Sequence, residues 1–134
     1  MGYRSDVKYV ICLPDDKAYA GYMAEVNLML ADKPDMKGIL DKLKEGEDIE
    51  VVETGFAPTY KYRFFVQWDY VKWYDNFDWV KIQHEIMELA EQYDGAWFFA
   101  RIGENDDDIE TKEACEKGLY WHDYIQLNRS LSFI

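Results

Sequence analysis

Read for the spacing of its apolar and polar positions, the chain opens on a strand. Over residues 7–13, Val7, Tyr9, Ile11 and Leu13 fall on one side and Lys8, Val10 and Cys12 on the other, and this two-residue period predicts a buried strand. Pro14 ends it. Beyond Asp15 and Asp16, which can cap a helix and favour its positive end, Tyr19, Tyr22, Met23, Val26 and Leu30 recur at steps of three and four. That spacing predicts a first amphipathic helix. Pro34 breaks it, and Asp35 can cap a short second helix carrying Met36, Ile39, Leu40 and Leu43 before Gly46 stops it. Residues 49–54 are strand-like, 55–58 form a turn signal, and Tyr60, Tyr62, Phe64, Val66 and Trp68 alternate with Lys61, Arg63, Phe65 and Gln67, so a hairpin is expected.

The clearest helical stripe follows. Asp75, Asn76 and Asp78 offer caps ahead of Trp79, Ile82, Ile86, Leu89, Ala90 and Tyr93, and Asp94-Gly95 closes the helix. Residues 96–102, with Trp97, Phe98 and Phe99, make another apolar strand. The acidic run 104–110 reads as a solvated loop and 111–117 as weakly helical or irregular. Ile125, Leu127, Leu131 and Phe133 then share one parity in a last strand. No repeat or linker divides residues 1–134, so the order β-α-(α)-β-β-α-β-β predicts one α+β domain. The specific expectation is a ferredoxin-like split βαβ sheet, with helices on one face and an added C-terminal strand. Because strand residues of both parities are apolar, the opposite face needs a cover. The C-terminal segment, a second copy of the chain or a partner protein could supply it, and a homodimer is the favoured choice.

Composition narrows the function classes. Hydrophobic residues make up 49% of the 134, too many for a disordered chain and enough for a core without disulfides or metal. Twenty-seven acidic against 15 basic residues give a net charge of −12, which disfavours direct binding to nucleic acid and favours a partner with a basic surface. Cys12 and Cys115 do not form a Cys-x-x-Cys pair and cannot make a four-ligand zinc site; reduced thiols are expected. The first seven residues lack the apolar core of a secretory signal, and Asp6 stands where myristoylation needs Ser or Thr. No stretch is long and apolar enough to span a bilayer, so the expected setting is cytoplasmic, without membrane contact.

The densest chemistry lies in residues 68–75, where Trp68, Asp69, Tyr70, Trp73, Tyr74 and Asp75 join a strand to a helix. Aromatics beside carboxylates in such a loop are typical interface anchors, although Trp73 and Tyr74 could equally plug the end of the core. The second candidate is Glu104, Asp106, Asp107, Asp108 and Glu110. The run lacks the central Gly and ligand register of a calcium loop, which leaves a solvated loop or a charged recognition surface rather than a metal site. Trp121 is a further candidate contact. His84 reads as exposed on the polar side of its helix, His122 sits near a strand start, and Cys115 between acids has the wrong setting for a nucleophile. With no glycine-rich phosphate loop, the residues imply neither a catalytic centre nor a cofactor.

The stretches Met1-Gly2-Tyr3-Arg4-Ser5-Asp6-Val7, Val71-Lys72-Trp73-Tyr74-Asp75, Ala100-Arg101-Ile102-Gly103-Glu104 and Asn128-Arg129-Ser130 resemble those of small acidic bacteriophage accessory proteins. The resemblance implies a setting in the infected cell, in which such a protein blocks a host factor or a bacterial immune system, as anti-CRISPR proteins do. Two readings are carried forward. One is a non-enzymatic inhibitor whose acidic, aromatic surface covers a basic surface on a host or defence protein. The alternative is a sponge that binds a nucleotide signal between subunits, with Arg4, Arg63, Arg101 or Arg129 holding phosphate. A metal-dependent hydrolase built on residues 106–110 and His122 is the weakest reading.

Overall fold

The first strand of the chain becomes the centre of the sheet. In a computed structural model, which describes residues 2–49, 60–105, 107–114, 125–127 and 131–133, β1 (Ser5–Leu13) is flanked on both sides. It pairs antiparallel with β3 (Tyr62–Val71) and with β4 (Ala96–Gly103). β2 (Glu47–Ile49) extends the sheet beyond β3, and β5 (Ile109–Ala114) extends it beyond β4, both antiparallel. The order is β2-β3-β1-β4-β5, and the architecture is α+β.

One face of the sheet carries the helices. Val7, Tyr9, Ile11 and Leu13 of β1, Phe64 and Val66 of β3, and Trp97 and Phe99 of β4 form one buried cluster with all three. α1 (Asp16–Leu30) is capped as its sequence predicts, since the Asp15 carboxylate accepts the Ala18 N–H at 2.8 Å. It buries Ala18, Tyr22, Val26 and Leu30, one residue per turn. Pro34 opens a 3-10 turn, Pro34–Met36, and α2 (Lys37–Glu45) follows. Asp35 lies inside that turn instead of capping α2; the N-cap is Met36, which makes no side-chain cap bond. α3 (Asp78–Leu89) buries Val80, Ile82, Gln83, Ile86, Met87 and Leu89. Its N-cap is Phe77 and likewise makes no side-chain bond; of the predicted caps, Asp75 and Asn76 precede it and Asp78 is the first residue of the helix. A 3-10 turn, Ala90–Tyr93, ends at Asp94 in the left-handed region (φ 58°), and the Gly95 N–H closes on the Ala90 carbonyl at 2.9 Å.

The opposite face is also dry. Val10, Cys12, Phe98 and Ala100 have no exposed area, and even Lys8 is 5% exposed. Two short strands, β6 (Ile125–Leu127) and β7 (Leu131–Phe133), pair with each other, and β7 lies against β1 and β4. Because β1 and β4 already have strand neighbours on both sides, β7 reaches them across a face. The chain's own tail therefore supplies a cover there, and burial of that face does not require a second copy.

Three expectations about the strands also change. Residues 109–114 form the edge strand β5, where a loop followed by an irregular stretch was predicted. The tail holds two short strands of a separate sheet instead of one strand added to the main sheet. β2 starts at Glu47, ahead of the predicted 49–54 segment, whose remainder lies outside the described residues with the turn at 55–58. Among the described residues, no helix is long and apolar enough to cross a membrane.

Candidate partner-binding face

Register alone gathers three distant segments. Ser5, near the start of β1, sits opposite Val71 at the end of β3 and Gly103 at the end of β4, while Ile102 faces Ile109 at the start of β5. Residues 2–6, 70–75 and 101–110 thus meet at one end of the sheet. The sequence stretches 71–75 and 100–104 and most of 1–7 converge there; 128–130 lies outside the described residues.

A polar network ties these segments. The Arg101 guanidinium donates to both carboxylate oxygens of Asp108, at 2.8 and 3.0 Å, to Ser5 Oγ at 3.1 Å and, more distantly, to Glu110 at 3.5 Å. The Tyr3 hydroxyl donates to Asp108 at 2.6 Å and accepts from the Asn105 N–H at 3.0 Å, and the Tyr3 N–H donates to the Tyr74 hydroxyl oxygen at 2.6 Å. Hydrogen bonds from Arg101, then from Tyr3, hold the Asp108 carboxyl below the usual carboxylate range. Gly103 lets the parts approach, because a Cβ there would lie 2.1 Å from Asp108 Oδ2 and 2.2 Å from the Tyr3 hydroxyl. On the other flank, the Arg4 N–H donates to Glu104 and the Tyr70 N–H to Asp6, each at 2.8 Å. Tyr70 has a positive φ of 53°, and its ring lies 5.5 Å from the Arg4 guanidinium.

Between these parts runs a groove of about 480 Å³ lined by Tyr3, Trp73, Tyr74, Asp75, Asn76, Arg101, Asp108 and Glu110. Of the residues singled out from sequence, Trp73, Tyr74, Asp75, Asp108 and Glu110 line it, Tyr70, Glu104 and Asp107 lie exposed in the same converging segments, and Asp69 lies exposed on β3 just before them. Tyr70 is 68% exposed, and Tyr74 stacks edge-on against the exposed Phe77. Asp106 and Trp121 lie outside the described residues.

Of the three tryptophans named as candidate contacts, the two among the described residues are largely internal, which for Trp73 is the core-plug alternative. Trp73 is 5% exposed, packed against Trp79, Phe99 and His84, so it forms part of the groove lining and plugs the core. Trp68 is half-buried, with its indole N–H donating to Gln83 Oε1 at 2.7 Å and its ring edge-on to Trp79. Gln83 is fully buried and also accepts from the Tyr9 hydroxyl at 2.6 Å. This one polar residue on the buried side of α3 turns Trp68 inward. The exposed aromatic area comes from Tyr70 and Phe77 instead.

His84 is a further correction. It is half-buried rather than exposed, its ring 5.8 Å from that of Trp73 and 5.0 Å from that of Phe99, and Nε2 has no partner among the described residues. Burial lowers its pKa, the Lys112 charge adds to the lowering, and Asp75 and Glu110 oppose it. Spacing on the helix could not reveal this, because the neighbouring rings come from the loop before α3 and from β4. Among the described residues, no three His, Cys, Asp or Glu side chains gather closely enough to hold a metal ion.

These features define an α+β protein with an acidic, aromatic-edged groove at one sheet end. No protein-family model, no curated protein and no solved structure matches the chain.

Proposed function

We propose that this chain is a non-enzymatic, phage-type accessory protein that docks its acidic sheet end onto a basic surface of a host or immune-defence protein and occludes it. One observation carries the reading: exposed carboxylates and exposed aromatic rings share one end of the sheet, and the guanidinium within the groove is already neutralised by Asp108 and Glu110. Such a surface repels polyanions and attracts Lys- and Arg-rich ones, so encounter is fast and salt-sensitive. The same pairing disfavours the nucleotide sponge. Arg101 is engaged by Asp108, and Arg63 pairs with Asp48 at 2.6 Å, so at these two of the four candidate arginines a phosphate would have to displace the chain's own carboxylates. The strand order β2-β3-β1-β4, wholly antiparallel and crossed over by helices on one face, supports the ferredoxin-like split βαβ reading of the scaffold. The setting is the cytoplasm of the infected cell.

The test combines capture with phenotype. Expressed in a bacterium whose defence system restricts a phage, the chain should restore plaque formation and co-purify with a component of that system. Reversing the exposed charges through Asp75→Lys and Asp107→Lys should weaken capture by about tenfold or more and leave the melting temperature nearly unchanged. Capture that survives both these reversals and high salt would sink the proposal.

A further inference from the structure

A second groove, about 580 Å³ in volume, is formed where the last turn of α1, the Pro34–Met36 turn and the first two turns of α3 meet. Its volume falls within the range of ligand sites. Three features bear on what it accepts. Its apolar lining is Met29, Met36 and Ile82, two of them flexible thioether side chains that adapt to varied apolar shapes. Its charged lining sets four carboxylates, from Asp32, Asp35, Asp78 and Glu85, against two lysines, and one of these, Lys33, lies 3.7 Å from Asp32. Finally, α2 and α3 both begin here, and neither N-cap side chain satisfies a first-turn N–H.

We infer that this groove docks a short segment of another protein in which apolar side chains are flanked by lysine or arginine. Apolar side chains meet the methionines, basic ones meet the surplus carboxylates, and main-chain carbonyls of the segment suit the positive ends of the two helices. Nucleic acid and anionic membranes are repelled by the same carboxylates, and so is a second copy of the chain, which brings the same rim and the same net charge of −12. The site is separate from the sheet-end groove, with which it shares no lining residue.

The intact protein, with its methionine methyl groups labelled with carbon-13, can be titrated with a short amphipathic peptide of leucine and lysine and followed by NMR. The methyl signals of Met29 and Met36 should move together and saturate, while that of the fully buried Met87 stays. Replacing the leucines by serine, or the lysines by glutamate, should abolish the response. Asp35→Lys with Glu85→Lys should weaken binding about tenfold, as expected for a few rim ion pairs turned repulsive, and the methyl spectrum of the unbound variant reports whether it is folded. If that variant does not fold, Glu85→Gln alone must still weaken the peptide several-fold. The inference is overturned by silent Met29 and Met36 signals, by equal binding of the glutamate peptide, by a folded variant that binds like the parent, or by a response to anionic vesicles in place of the peptide.

Discussion

Replacing Arg101 by Met removes the bond that holds the acidic segment onto the sheet end, and its cost can be worked from the geometry. The guanidinium is 15% exposed and binds the Asp108 carboxylate through two bonds of 2.8 and 3.0 Å, with Ser5 at 3.1 Å and Glu110 at 3.5 Å. Hydrogen bonds to charged groups contribute about 1.5–3 kcal/mol. Water still reaches Asp108, which is 30% exposed, and burying Arg101 itself costs desolvation, so the whole set should stabilise by about 2 kcal/mol. For a chain of this length that is a fall of roughly 6–10 °C in melting temperature. Urea unfolding of Arg101→Met, Asp108→Asn and the double variant isolates the pair, with a coupling of about 1–2 kcal/mol expected. The pH dependence gives a second reading. The Asp108 pKa is depressed in the folded chain, so its contribution is complete above the ordinary carboxylate value of about 3.9 and fades as pH falls through the lower folded value. The stability gap between the parent and Asp108→Asn should therefore be constant near neutrality and close below about pH 4. Additive single effects, or a gap that persists at low pH, would refute the reasoning.

Two other perturbations probe the layer beneath that face. Gln83→Leu leaves the Tyr9 hydroxyl and the Trp68 indole N–H without their shared acceptor, and should cost about 2–4 kcal/mol in urea unfolding; adding Tyr9→Phe should recover part of the loss, and failure to do so would deny the shared bond. For His84, burial and Lys112 hold the imidazole neutral to lower pH, so its NMR titration midpoint should lie below about 6.5. The unfolded chain takes up that proton first, so stability should decline as pH drops from about 6.5 through the folded midpoint, and His84→Gln should flatten this limb.

The elements that face the core were legible because their side chains report it. β1 is apolar on one parity throughout and largely so on the other, α1 places a buried residue at every fourth position, and Asp94-Gly95 marks the end of the third helix region in its sequence chemistry. β5 was not legible. As an edge strand it owes its place to backbone pairing with β4, and its residues, Ile109, Glu110, Thr111, Lys112, Glu113 and Ala114, are chiefly those a solvated edge tolerates. The site divided along the same line. That 68–75 and 104–110 hold dense aromatic and acidic side chains could be read from composition, but that the two segments meet could not, since the contact depends on β1 standing between β3 and β4. Which way a tryptophan points depends on its partner, and Gln83 reads in sequence as one more polar position on a helix.

The acidic residues at the sheet end fall into two populations that do different work. Asp108 and Glu110 share the single Arg101 cation, which leaves one negative charge over, whereas Asp48 with Arg63 and Asp16 with Lys61 elsewhere on the surface are one-to-one pairs; these contacts fix segments in place and reduce the field at a distance. Asp75 and Asp107 stand exposed, and no Lys or Arg among the described residues lies within salt-bridge distance of them, so they add unmatched charge to the long-range potential. The two sets should therefore separate in experiment. Changing the exposed acids should alter the rate and salt dependence of partner capture with the fold intact, whereas changing the matched ones should loosen the sheet end first. Arg101→Met joins the two effects, because it frees Asp108 and Glu110 from their internal cation while loosening the segment that carries them. If the sheet end meets a basic partner, that variant should lose stability and yet associate faster at low salt, a combination that a purely structural role for the network does not produce.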